Sequence, residues 1–148
     1  MSDERLDILD LAQAYADTID RRDTEAFVSL FEPDGDLRIF EHGELVPTAQ
    51  YRGRDQLAGV MGLVTIYPST FHLVANHRCA IAGDRATGVT YTSARHLVER
   101  STGLIDLEML IRYEDQYRRR DGAWRFQRRD VFRQWTTEHA AERAPLPT

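Results

Sequence analysis

Lysine is absent from this chain: all 19 basic residues among its 148 are arginine. That excludes Schiff-base chemistry on a lysine amine and the phosphate-binding lysine of a P-loop. Cysteine occurs once, at Cys79, so no intrachain disulfide can form. The five histidines, at 42, 72, 77, 96 and 139, lack a metal-binding spacing. No glycine-rich dinucleotide motif follows a strand signal. We therefore expect neither a metal nor an organic cofactor. There is no apolar run of bilayer length and no apolar signal region at the N-terminus, which predicts a cytoplasmic protein without a membrane partner. The net charge of −5 gives no broad attraction to nucleic acid.

What is present is an ordinary globular composition, and the length suits one domain spanning 1–148, with its core at about 5–135. Apolar residues recur every three to four positions over 4–20, which predicts a helix with a broad buried stripe. Asp23 can cap a second helix at about 24–32. Pro33-Asp34-Gly35 reads as a turn, Asp36–Phe40 as a short strand, and 41–50 as a polar loop. A third helix is expected at about 54–65, weakened by Gly59 and Gly62. From residue 70 the pattern becomes all strand, at about 70–82, 86–99, 104–119 and 123–135. Gly83-Asp84, Ser101-Thr102-Gly103 and Asp121-Gly122 supply the turns of an antiparallel meander. The tail beyond Thr136 is expected to fray. Helices first and a meander afterwards give an α+β domain, with four or five strands burying one face against the helices. Large apolar residues in both parities of the strands, such as Leu110, Ile111, Tyr113 and Tyr117, predict a second buried face and hence a homo-oligomer.

Thr70–Asn76 stands out. Alternation puts His72, Val74 and Asn76 on one face of a strand, so a titratable imidazole lies among apolar neighbours. Counting back from the Gly83-Asp84 turn, a bulge at Gly88 would set His72 directly opposite His96 on the same face. Asp20 ends the first helix, where an acidic group is unfavourable to the helix dipole; orienting a histidine would be a reason for it. Tyr15 carries a hydroxyl into the buried stripe. Of Arg128 and Arg129, one points inward and needs an acidic partner or an anionic ligand.

These residues, in this order, resemble the SnoaL-like family of the nuclear-transport-factor-2-like superfamily. The markers are Tyr15-x4-Asp20 followed by Asp23, Leu30–Asp34, Tyr51–Arg54, Phe71-His72-x3-Asn76, and Tyr117-x2-Arg120-Asp121-Gly122-x-Trp124. The resemblance implies a cone of curved antiparallel sheet closed by helices, and is strongest to the branch of scytalone dehydratase, bile-acid 7α-dehydratase and hexachlorocyclohexane dehydrochlorinase. Those enzymes use a His–Asp dyad and no cofactor. By that resemblance His72, Asp20, Tyr15 and Arg129 would be catalytic, and His96, Asn76, Phe40 and Tyr51 would contact substrate. The strand Asp36–Phe40 lacks a tyrosine that scytalone dehydratase has there, which argues against scytalone as substrate.

The function expected is a cofactor-independent dehydratase, lyase or isomerase acting on a small hydrophobic molecule, steroid-, terpenoid- or polyketide-like, by proton abstraction at His72. Two alternatives remain open at this level. One is the non-catalytic small subunit of an aromatic-ring-hydroxylating dioxygenase. The other is a module that binds a hydrophobic ligand without turning it over.

Overall fold

The computed structural model describes residues 3–144. Helix α1 runs over Glu4–Asp20, capped by the Asp3 carboxylate, which accepts from the Arg5 amide. Its stripe of Ile8, Leu11, Ala12, Tyr15, Ala16 and Ile19 is buried against the sheet. Asp23 caps α2 (Thr24–Ser29) through the Ala26 amide. The strands are β1 (Phe31–Phe40), β2 (Ala49–Arg52), β3 (Thr70–Ala82), β4 (Arg85–Arg100), β5 (Gly103–Arg120) and β6 (Ala123–Ala140), with α3 (Gly53–Gly59) and α4 (Met61–Val64) between β2 and β3.

The six strands form one curved mixed sheet in the order β2-β1-β6-β5-β4-β3, with β1 parallel to β6 and the other pairs antiparallel. The fold is an α+β arrangement with helices on the concave face. The apolar core joins α1 to Leu37, Ile111, Tyr113, Tyr117, Phe126 and Val131 from the sheet. Tyr15, Phe27, Phe31 and Phe126 form its aromatic centre, with ring centroids 5.2–6.4 Å apart.

Several local expectations are corrected. The sheet has six strands because residues 49–52, expected partly in a loop, pair with β1. The second helix stops at Ser29: Phe31 pairs with Phe126, and the Glu32 carboxylate is buried beside Arg120 at 2.9 Å. The third helix breaks at Val60, between Gly59 and Gly62, as two weak helix formers allow. Residues 136–140 do not fray but continue β6, with Thr136 opposite Met109 and Ala140 opposite Ile105. The end of the tail, 145–148, lies outside the described residues.

The bulge that matters lies in β3 and not at Gly88. Register shifts between Val74 and His77, so Ala75 and Asn76 are the irregular residues. Gly88 pairs regularly with Cys79; its lack of a side chain admits the Tyr117 ring, whose Cε2 would lie 3.0 Å from a Cβ there. His72 consequently faces the same side as His96 but stands opposite Ala94, while His96 stands opposite Thr70. The two imidazoles meet diagonally, centroids 5.6 Å apart.

Candidate active site

Strand β3 is an edge of the sheet, so its outward amides need a partner other than a strand. At His72 that partner is the last residue of α1. Asp20 Oδ2 accepts the His72 backbone N–H at 2.8 Å. Asp20 Oδ1 lies 2.7 Å from His72 Nδ1 and also accepts the Thr70 hydroxyl at 2.8 Å. Burial pushes the Asp20 carboxyl up, but the bonds from the His72 ring, the His72 amide and Thr70 outweigh it, so its pKa falls below the usual carboxylate value. An ionised carboxylate can only accept, which makes Nδ1 the protonated nitrogen of neutral His72. Nε2 is then the free base, on the side of the ring turned toward the cavity His72 lines.

Arg22 holds this corner together. Its backbone is left-handed, with φ of 60°, a conformation that costs a non-glycine residue about 1–2 kcal/mol. Nη1 donates to the Thr70 hydroxyl oxygen at 2.6 Å and to the Ile19 and Asp20 carbonyls at 2.9 and 3.3 Å. Nη2 donates to the carbonyls of Val64 and Tyr67, each at 3.3 Å. One guanidinium thus ties the end of α1, the Thr70 hydroxyl and the α4 segment. Because Thr70 accepts from Arg22, its own proton is left for Asp20.

The cavity lies between α1, the α3–α4 segment and the concave face, with a volume of about 90 Å³. Leu37, Ile39, Val60, Val64, Met109 and Val131 supply apolar wall; Tyr15, Tyr67, His72, His96, Tyr113 and Arg133 supply the polar groups. That volume is below the roughly 300–1,000 Å³ of ordinary ligand sites, so a bulky polycyclic substrate requires the α3–α4 segment to move. Burial, with His72 nearby, pushes His96 down to about 4. It is therefore neutral at physiological pH, and its buried Nδ1 has no hydrogen-bond partner. Burial pushes the Tyr15 phenol up to about 12, only partly opposed by Arg129.

Of the eight residues singled out from the sequence, the fold brings His72, Asp20, Tyr15 and His96 together. It places the other four elsewhere. Arg129 is the buried arginine, but it is fully enclosed and bound by Asp115 through two hydrogen bonds of 2.8 Å. The rings of Tyr15, Tyr113 and Phe126 cover it at 4.1–4.2 Å, so it supports the Tyr15 ring from behind and is not on the cavity wall. Asn76 is exposed at the β3 bulge, beside Arg78 and Tyr91, because the inserted residue hands the inner face to His77. Phe40 stacks on Phe132 at 4.7 Å beneath the Arg38 guanidinium, leaving Leu37 and Ile39 to face the cavity. Tyr51, opposite Leu37, is half-buried against the core and off the cavity wall.

Five contributors were missed: Arg22, Tyr67, Thr70, Asp115 and Arg133. Asp115 was within reach, since counting the hairpin back from Asp121-Gly122 puts it within one residue of Arg129. Arg133 was not, because a register shift at Gln127 moves the inward face of β6 from Trp124 and Phe126 to Arg129, Val131 and Arg133.

Among the described residues no helix is long and apolar enough to cross a membrane, and no three His, Cys, Asp or Glu side chains cluster as metal ligands. The model of the SnoaL-like domain family matches residues 1–130. No curated protein matches the sequence. Among solved structures, a type-2 hexachlorocyclohexane dehydrochlorinase superposes with a TM-score of 0.79 at 22% identity, covering 97% of this chain and 94% of that one. A candidate scytalone dehydratase from Novosphingobium aromaticivorans gives 0.77 at 23%, covering 95% and 91%. A candidate aromatic ring hydroxylase from the same organism gives 0.76 at 21%, covering 91% and 92%. At these identities the likeness is one of fold.

Proposed function

We propose, from the premise that the chain belongs to the SnoaL-like domain family, that it is a cofactor-independent lyase or isomerase using His72 as general base. The observation that carries this reading is the 2.7 Å contact between Asp20 and His72 Nδ1, which leaves Nε2 for a mostly apolar cavity. Nε2 takes a proton from a carbon next to an electron-withdrawing group. The electron pair moves toward that group, and a β-hydroxyl or halide departs with its own pair; in an isomerisation the proton instead returns at another carbon. Asp20 stabilises the imidazolium formed. A positioned base of this kind contributes typically ~10²–10⁴-fold.

Tyr15, its phenol pushed up to about 12 by burial, is a hydroxyl donor at neutral pH, and the Tyr67 hydroxyl lines the same cavity; both can meet the developing oxyanion or the leaving group. The small cavity favours a compact, single-ring substrate over a steroid-sized one. A purely structural subunit gives no reason for a histidine held by a carboxylate on the wall of a mostly apolar cavity, whereas a base requires that arrangement. The test is a screen of small cyclic β-hydroxy ketones and β-halo compounds for elimination, followed by Asp20→Asn, His72→Ala and the double variant. Each single change should lower kcat by orders of magnitude, with the double variant little worse. Independent, multiplicative losses would remove Asp20 from the mechanism.

A further inference from the structure

The cavity carries two polar groups, which adjoin through the His72 and His96 rings. One is the dyad. The other is formed by His96 and Arg133, and nothing in the base mechanism uses it. Arg133 lines the cavity from β6, opposite Ile111. Apart from the two histidines, it is the one charged side chain among the described residues of the wall. Its Nη1 donates to Glu41 Oε1 at 2.6 Å, in the loop after β1. Both side chains of that pair are substantially exposed, 35% and 46%, and such pairs contribute little net stability. Glu41 is thus a placeholder that an incoming anion can replace at small cost. Beside it, His96 Nδ1 is buried without a partner, although the residue is only 5% exposed. Buried polar atoms are normally satisfied, so this atom marks a hydrogen bond that a bound molecule would complete.

We propose that Arg133 is the anion-docking residue of this cavity, and that the substrate is a small apolar ring or chain carrying a carboxylate that meets Arg133 on the β6 side. The carboxylate exchanges for Glu41 on the Arg133 guanidinium, a polar group beside it meets His96 Nδ1, and the apolar body lies along Leu37, Ile39, Met109 and Val131. A charge-assisted bond from a guanidinium fits a carboxylate better than a neutral amide.

The inference rests on the proposed cavity site, but its test needs no turnover. Benzoate and its neutral isostere benzamide are titrated into the protein by calorimetry, with His72 and His96 ring signals followed by NMR. In the wild type, benzoate should bind about tenfold or more tightly than benzamide and shift the His96 signals. Glu41→Gln should strengthen benzoate binding, because the competing carboxylate is gone, and leave benzamide unchanged. Arg133→Met should abolish the preference, and Arg133→Lys should retain part of it, which separates loss of charge from loss of fold. Equal affinities for the two probes, no benzoate binding at millimolar concentration, or a preference surviving in Arg133→Met would each overturn the proposal. Asp20→Asn should retain the benzoate preference; failure of the dyad kinetics alone would count against the base mechanism and leave Arg133 standing.

Discussion

His96 makes the protein acid-sensitive in a way that can be calculated. In the unfolded chain an imidazole titrates near 6.5. In the fold, desolvation and the neighbouring His72 hold His96 at about 4. Between these values the unfolded state binds more protons than the folded state, so stability falls as pH falls. The loss starts near pH 6.5, proceeds at up to about 1.4 kcal/mol per pH unit, and is complete below about pH 4. The gap amounts to at most about 3 kcal/mol, a large share of the ~5–15 kcal/mol typical of a domain. The Ala94 backbone and the Asp20 carboxylate favour the proton but are outweighed, and the cationic Arg133 adds to the opposition. The measurement is urea unfolding at fixed protein concentration at pH 7.5, 6.0, 5.0 and 4.2, for wild type and His96→Gln. Whatever the variant costs at pH 7.5, its stability should decline less with acid, and the two curves should converge by about 3 kcal/mol over the range. Parallel curves would show that His96 is not held neutral by the fold.

Three further outcomes follow from the same geometry. Asp115→Asn or Arg129→Met should each destabilise the fold by about 3–5 kcal/mol, since either leaves a buried charge uncompensated, with the double replacement Asp115→Leu and Arg129→Met costing less than the sum; chemical denaturation checks this, and additive losses would contradict the pairing. Arg22→Ala should raise hydrogen exchange at residues 61–69 and KM while slowing the base step, with Arg22→Lys recovering part of each; unchanged exchange would show that the α4 segment is held by its apolar contacts alone. Phe71, Leu73, Tyr91 and Trp135 are exposed on the outer face, so light scattering at micromolar concentration should give a dimer or trimer mass, and a monomer would refute that expectation.

How much of this was legible beforehand depends on which interactions are local. Helix α1 could be read to its last residue, because its apolar stripe and the Asp20–Asp23 break are properties of neighbouring residues. The hairpin turns of the meander were equally plain, because Gly83, Gly103, Asp121 and Gly122 adopt the positive φ that their turns demand. Pairing of β1 with β6 was not legible, since a parallel contact between distant segments leaves no turn behind. Bulges limited the rest. A single irregularity at Ala75–Asn76 gives His72 the same-face relation to His96 that a Gly88 bulge would have given, yet it ejects Asn76 from the cavity. Parity was recoverable; position was not, because a glycine can serve a close approach as readily as a bulge. One of Arg128 and Arg129 was expected to point inward; it is Arg129, but its need is met by Asp115 across the hairpin, and the cation facing the cavity is Arg133 four residues later. Candidate substrate contacts suffered most, for Phe40 and Tyr51 occupy β1 and β2 positions whose facing depends on pairings the sequence does not announce.

The central claim is that Asp20 fixes His72 with its proton on Nδ1 and its lone pair on Nε2 in the cavity. Two-bond nitrogen–proton correlation spectra of histidine-labelled protein at pH 7.5 test it without a substrate. The account predicts that neutral His72 is the Nδ1–H tautomer, with a strongly downfield Nδ1 proton that Asp20→Asn moves upfield. A neutral His72 carrying its proton on Nε2, or a tautomer indifferent to Asp20→Asn, would contradict it.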